Sequence, residues 1–142
     1  MKIYLASRYG RRLELAGYAD TIRRHGHEVT SRWLSGSHGV SDNALTHADA
    51  ERFAGEDLDD ILAADAIVCF TEAPGPTAGR GRGGRYFEMG FAHGVGKRVV
   101  VIGPLENVFC HIEAVTRYDT FEDFLFFEIN VPLPARAEDL PN

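Results

Sequence analysis

One carboxylate stands out by its surroundings. Glu88 lies in the run Gly83-Gly84-Arg85-Tyr86-Phe87-Glu88-Met89-Gly90-Phe91-Ala92, where a loop rich in glycine and arginine gives way to helical spacing. The pattern predicts a helix over residues 84–96 with Glu88 in its first turn. A helix N-terminus carries partial positive charge and unpaired N–H groups, so a carboxylate there is expected to stay ionised. An ionised, partly desolvated carboxylate at a sheet edge can attack an electrophilic sugar carbon. The plainer reading of Glu88 is a solvated first-turn acid that only stabilises its helix. Asp57, in the acidic run Glu56-Asp57-Leu58-Asp59-Asp60, can support a leaving group as a proton donor or through water. It can equally belong to a solvated helix face. Tyr4, in the opening apolar segment, can hydrogen-bond a carboxylate or serve as a core aromatic.

The elements that must position these residues alternate. Short apolar runs over residues 2–6, 28–34, 66–71, 98–103 and 115–118 read as strands. Amphipathic stretches over 11–24, 48–64, 84–96 and 120–127 read as helices, with a short helix over 107–113. The run over 66–71 is apolar throughout, as a buried parallel strand requires. Such alternation predicts a single α/β domain: a doubly wound parallel sheet of about five strands over residues 1–131, followed by an irregular tail over 132–142. Ligands of such sheets bind beyond the carboxyl ends of the strands. The loops beginning at Ser7, Ser35, Thr71 and Gly103 therefore border the expected cleft.

Composition narrows the partners. The chain has 142 residues and a net charge of −6, which argues against a nucleic-acid polymer as ligand. Its arginines nevertheless gather locally, as Arg8, Arg11 and Arg12, and as Arg80, Arg82 and Arg85. Two such groups on an acidic chain suit a small anion. Two cysteines, Cys69 and Cys110, are too few for a disulfide framework and suggest a reducing cytoplasm. No run is long enough to cross a bilayer, and the opening residues do not read as a signal peptide. The histidines lack paired zinc-ligand spacing, so no metal and no cofactor is expected.

Ile3-Tyr4-Leu5-Ala6-Ser7, Asp57-Leu58 ahead of Ala64-Asp65-Ala66, Phe87-Glu88-Met89-Gly90 and Gly96-Lys97, taken in this order, resemble the nucleoside 2-deoxyribosyltransferase family over residues 1–108. That family includes related nucleoside monophosphate N-glycosidases. The resemblance implies a flavodoxin-like sheet and assembly into homodimers or larger homo-oligomers. It implies that Glu88 matches the nucleophile, Asp57 the acid that contacts the base, and Tyr4 the tyrosine that orients the nucleophile. Asn107 matches a polar residue lent by a neighbouring subunit. Six places before the nucleophile the transferases carry an aspartate and the monophosphate hydrolases a serine; here the residue is Arg82. Its guanidinium fork suits a 5′-phosphate.

Residues expected to contact substrate are Ser7 and Arg8 in the first loop, Arg82 and Gly84 before Glu88, Asn107, and Trp33, whose ring can stack on a base or lie in the core. Tyr9 can also stack, and His38 and His47, in the loop after the second strand, can touch the base. The expected ligand is a small nucleoside or nucleotide. The expected reaction is cleavage and transfer at the N-glycosidic bond through a glycosyl-glutamate. Hydrolysis of a 5′-monophosphate is the alternative, and a non-catalytic nucleotide sensor is the reading from another class. Gly79-Arg80-Gly81-Arg82-Gly83-Gly84 also fits a dinucleotide fingerprint formally, but a Pro-containing segment separates it from its strand.

Overall fold

A computed structural model describes residues 1–36, 44–73, 75 and 83–132. Five parallel strands form one sheet: β1 (Lys2–Ala6), β2 (Glu28–Val29), β3 (Ala66–Phe70), β4 (Arg98–Ile102) and β5 (Val115–Tyr118). Their order is β2-β1-β3-β4-β5, so the chain reverses its direction of winding between β1 and β3. Four helices connect or follow them: α1 (Arg12–Arg24), α2 (His47–Ala63), α3 (Gly84–Gly94) and α4 (Phe121–Ile129). This is the flavodoxin-like arrangement, and its switch point lies between β1 and β3.

Both faces of the sheet are covered, which is why every residue of β3 is buried. On one face Tyr18 of α1 stacks on Phe121 of α4 and on Phe70 of β3, with ring centroids 4.1 and 5.4 Å apart. Tyr4 pairs in register with Ile67 and Leu5 with Val68. Strand alternation then turns Tyr4 and Ile67 to the face opposite Phe70. That face is the one on which α2 and α3 pack side by side. The two helices bearing the candidate acids thus lie over the strand bearing Tyr4.

The second strand departs from expectation. Predicted over 28–34, it ends at Val29, and residues Arg32–Ser35 form a 3-10 turn. The reason lies in how β1 satisfies its backbone. Beyond Ile3, the Leu5 N–H donates to Ser31 Oγ (2.7 Å), and Trp33 Nε1 donates to the Leu5 carbonyl (2.9 Å). Two side chains replace the ladder bonds that a longer strand would have made. Helix α2 is fastened to this turn. Buried Asp60 accepts from the Arg32 N–H at 2.9 Å and from Arg32 Nε at 2.8 Å. Thr46 caps the start of α2 by accepting from the Asp49 N–H.

Candidate functional site

Three side chains from three elements converge on the α2–α3 face near the switch point. Tyr4 comes from β1 and is fully buried. Asp57 comes from α2 and Glu88 from α3, each half-buried. They sense one another: Glu88 and Asp57 both act on the Tyr4 phenol, and Asp57 acts on Glu88. The Tyr4 hydroxyl and Glu88 Oε2 are buried, and neither has a hydrogen bond of good geometry. The phenol nevertheless lies close enough to favour the ionised form of Glu88. Tyr4 and Glu88 are therefore neighbours that form no regular hydrogen bond.

The electrostatics correct one expectation. Helix α3 begins at Gly84 and has no acid in its first turn, so Glu88 lies beyond the reach of the N–H groups expected to keep it ionised. Burial pushes its carboxyl up from 4.5 to about 8, and the Asp57 charge adds to this, against the pull of Tyr4. Glu88 accordingly holds its proton at neutral pH. Burial, then the charges of Glu88 and Asp57, drive the Tyr4 phenol far above its ordinary value, so it remains a donor. A tyrosine donor and two coupled carboxyls in one partly desolvated site can supply a nucleophile and a proton.

The first loop supplies cations. Ser7 Oγ donates to the Arg8 carbonyl at 2.8 Å. Arg8 Nε binds Glu72 at 2.9 Å, and its guanidinium lies over Gly10, where a Cβ would collide with Nη1. Arg11 Nη1 donates to the Thr71 carbonyl at 3.2 Å. These groups border the carboxyl ends of β1 and β3.

Two solved structures share this architecture. A 2-deoxyribosyltransferase from the psychrotolerant bacterium Bacillus psychrosaccharolyticus superposes with a TM-score of 0.68 at 19% identity, covering 90% of this chain and 93% of that one. A CMP N-glycosidase of Clostridium botulinum superposes with a TM-score of 0.52 at 19% identity, covering 88% of this chain and 95% of that one. The chain shares their fold. No family model matches the sequence, and no curated protein sequence matches it significantly.

The remaining expected contacts fall in different places. Trp33 is buried and its N–H is spent on Leu5, while Tyr9, in the loop after β1, is exposed with its ring centred 6.1 Å away. Gly84 is exposed, and a Cβ there would stand in open space. Asn107 turns its carboxamide inward: its oxygen accepts from the Phe109 N–H at 3.0 Å and caps the 3-10 turn Val108–His111. His47 is an exposed residue in the first turn of α2. Arg80, Arg82 and His38 lie outside the described residues, as does the tail beyond residue 132. Burial pushes the Cys69 thiol far above its ordinary value, which leaves it no nucleophile. Among the described residues no group of three or more metal-ligating side chains occurs, and no helix is long and apolar enough to cross a membrane.

Glu72 and Glu106 were not foreseen. Glu106, in the loop after β4, accepts from Arg85 Nη2 (2.8 Å) and from the Tyr86 hydroxyl. A lone acid between Leu105 and Asn107 carries no sequence signal that it pairs with the first turn of a helix lying well before it.

Proposed function

We propose that this protein cleaves the N-glycosidic bond of a nucleoside or nucleotide and transfers the pentosyl group, with Glu88 as nucleophile. The observation that carries this reading is the convergence of Glu88, Asp57 and Tyr4 beside the switch point of the sheet. The shared fold of a 2-deoxyribosyltransferase and a CMP N-glycosidase supports it.

The chemistry follows from the proton count. Glu88 attacks the anomeric carbon as a carboxylate. The C–N bond breaks, its electron pair goes to the base nitrogen, and a water held by the charged Asp57 protonates the departing base and is left as hydroxide. Tyr4 donates to Glu88 and steadies its charge as the sugar ring becomes cationic. In the second half an acceptor attacks the same carbon, the glycosyl ester breaks, and Glu88 leaves as a carboxylate. The acceptor's proton goes to that hydroxide, which restores the water at Asp57. A second base as acceptor gives transfer; water gives hydrolysis. Arg8, Ser7 and Gly84 border the substrate in this reading, and Tyr9 offers an exposed ring to the base. The resemblance further implies a homo-oligomer with Asn107 lent to a neighbouring site, and the two cysteines suggest a cytoplasmic location. Sedimentation of the full chain tests the assembly, and a monomer at micromolar concentration contradicts it.

A monophosphate N-glycosidase is the second reading. It is favoured by Arg8, held at the cleft mouth by Glu72 with its guanidinium laid over Gly10. Arg82, six places before Glu88, adds to it. Product chromatography separates the readings. One deoxynucleoside with a second free base should yield a new nucleoside. Free base released only from 5′-monophosphates selects hydrolysis. Tight binding with no base release, unaltered by Glu88→Ala, selects a sensor and overturns both.

A further inference from the structure

We infer that Glu106 is a positioning residue for Glu88: its carboxylate fastens the first turn of α3 to the loops after β3 and β4, and so sets where the Glu88 carboxylate stands. The inference rests on the reading of Glu88 as nucleophile. Helix α3 needs such an anchor. Its N-cap is Gly83, in the left-handed region with φ 81°, and among the described residues no side chain caps the orphan N–H groups.

Glu106 anchors that turn from outside. Oε1 accepts from Arg85 Nη2 at 2.8 Å, from Arg85 Nε at 3.3 Å and from the Tyr86 hydroxyl. Oε2 faces the Glu72 N–H at 3.4 Å. The Arg85 and Glu106 side chains are 10% and 20% exposed, and solvent reaching Glu106 screens the pair in part. Glu72 in turn holds Arg8. One run of charged contacts thus ties together the loops at the ends of β1, β3 and β4. Arg85 and Glu88 are three residues apart on one helix, so they share a face one turn from each other. Fixing the Arg85 fork fixes the rotation of α3 about its axis, and with it the aim of Glu88 toward Tyr4. Small displacements of reacting groups cost large factors in rate.

The protein supplies its own control. Glu128 makes a like arginine and tyrosine pairing, with Arg98 and Tyr118, but at β4's amino end and the sheet edge away from Glu88. The test is a carbon-13 carboxyl titration of Glu88, assigned by its loss in Glu88→Gln, together with steady-state kinetics. Glu106→Ala should displace the Glu88 titration midpoint and lower kcat about 10- to 100-fold, with KM changed less than about 3-fold. Glu106→Gln, which keeps an acceptor oxygen, should restore part of both. Glu128→Ala should lower Tm comparably and leave both readouts alone. An unmoved Glu88 titration in Glu106→Ala, or an equal displacement in Glu128→Ala, overturns the inference. Should Glu106→Ala fail to fold, Glu106→Gln against Glu128→Gln decides it. Should the wild type turn over no nucleoside or nucleotide, the functional reading fails alone, and the titration still judges Glu106.

Discussion

Glu88 answers two opposed demands. The proposed nucleophile must shed its proton, yet burial holds the Glu88 carboxyl up at about 8. Nucleophilicity therefore appears only as pH rises, and kcat/KM is expected to climb up to about pH 8 in the free enzyme. Tyr4→Phe removes the donor that opposes burial. The ascending limb should move to higher pH, and kcat/KM should fall about 10- to 100-fold, the usual worth of a hydrogen bond to a charged group. A limb unmoved by Tyr4→Phe contradicts the pairing. The same shift costs stability. The native state keeps a proton that the unfolded chain releases above its ordinary 4.5, so stability drains away as pH rises from there to about 8. Glu88→Gln should be neutral in Tm at pH 4 and stabilise by about 1–3 kcal/mol at pH 7. Thermal melts across that range check the sign, and a destabilised variant at pH 7 contradicts it.

The elements that carry the site were legible to different degrees. Strands β1, β3 and β4 follow from apolar runs, and α1 from its helical spacing, because burial on both faces of a parallel sheet leaves those patterns in the sequence; edge strand β5 is only partly buried and carries no such run. The second strand misled because Ser31 and Trp33, which look like strand residues, satisfy Leu5 through their side chains instead. Glu88 was located on the right helix but in the wrong environment: spacing shows that α3 exists, while burial by α2 and β1 depends on packing between distant segments. Glycine Gly103 shows how tightly the loops are set. It has φ 117°, and a Cβ there would lie 2.6 Å from Thr71 Oγ1 and 3.0 Å from the Thr71 carbonyl. Gly103→Ala should cost about 1–3 kcal/mol and lower kcat/KM by disturbing the ends of β3 and β4 together. Calorimetry showing an unchanged Tm contradicts that account.

At the scale of the whole molecule, the winding order explains why one crossing of the sheet gathers the chemistry. Reversal between β1 and β3 opens a crevice at their carboxyl ends. Helices α2 and α3 share one face and bring their acids to it, while α1 and α4 close the opposite face with Tyr18, Phe70, Phe121 and Phe124. Which acceptor would receive the sugar in the proposed reaction was not legible in the sequence, because base and water differ by the shape of the closed site rather than by a motif. The proposed chemistry depends on a covalent bond between one carboxylate and a pentose. Incubation with a nucleoside or nucleotide whose sugar carries 2′-fluorine, which slows loss of the glycosyl ester, followed by peptide mass spectrometry, measures it directly. The expected result is a pentosyl adduct on Glu88, absent in Glu88→Gln. An adduct on another residue, or full turnover of Glu88→Gln, contradicts it.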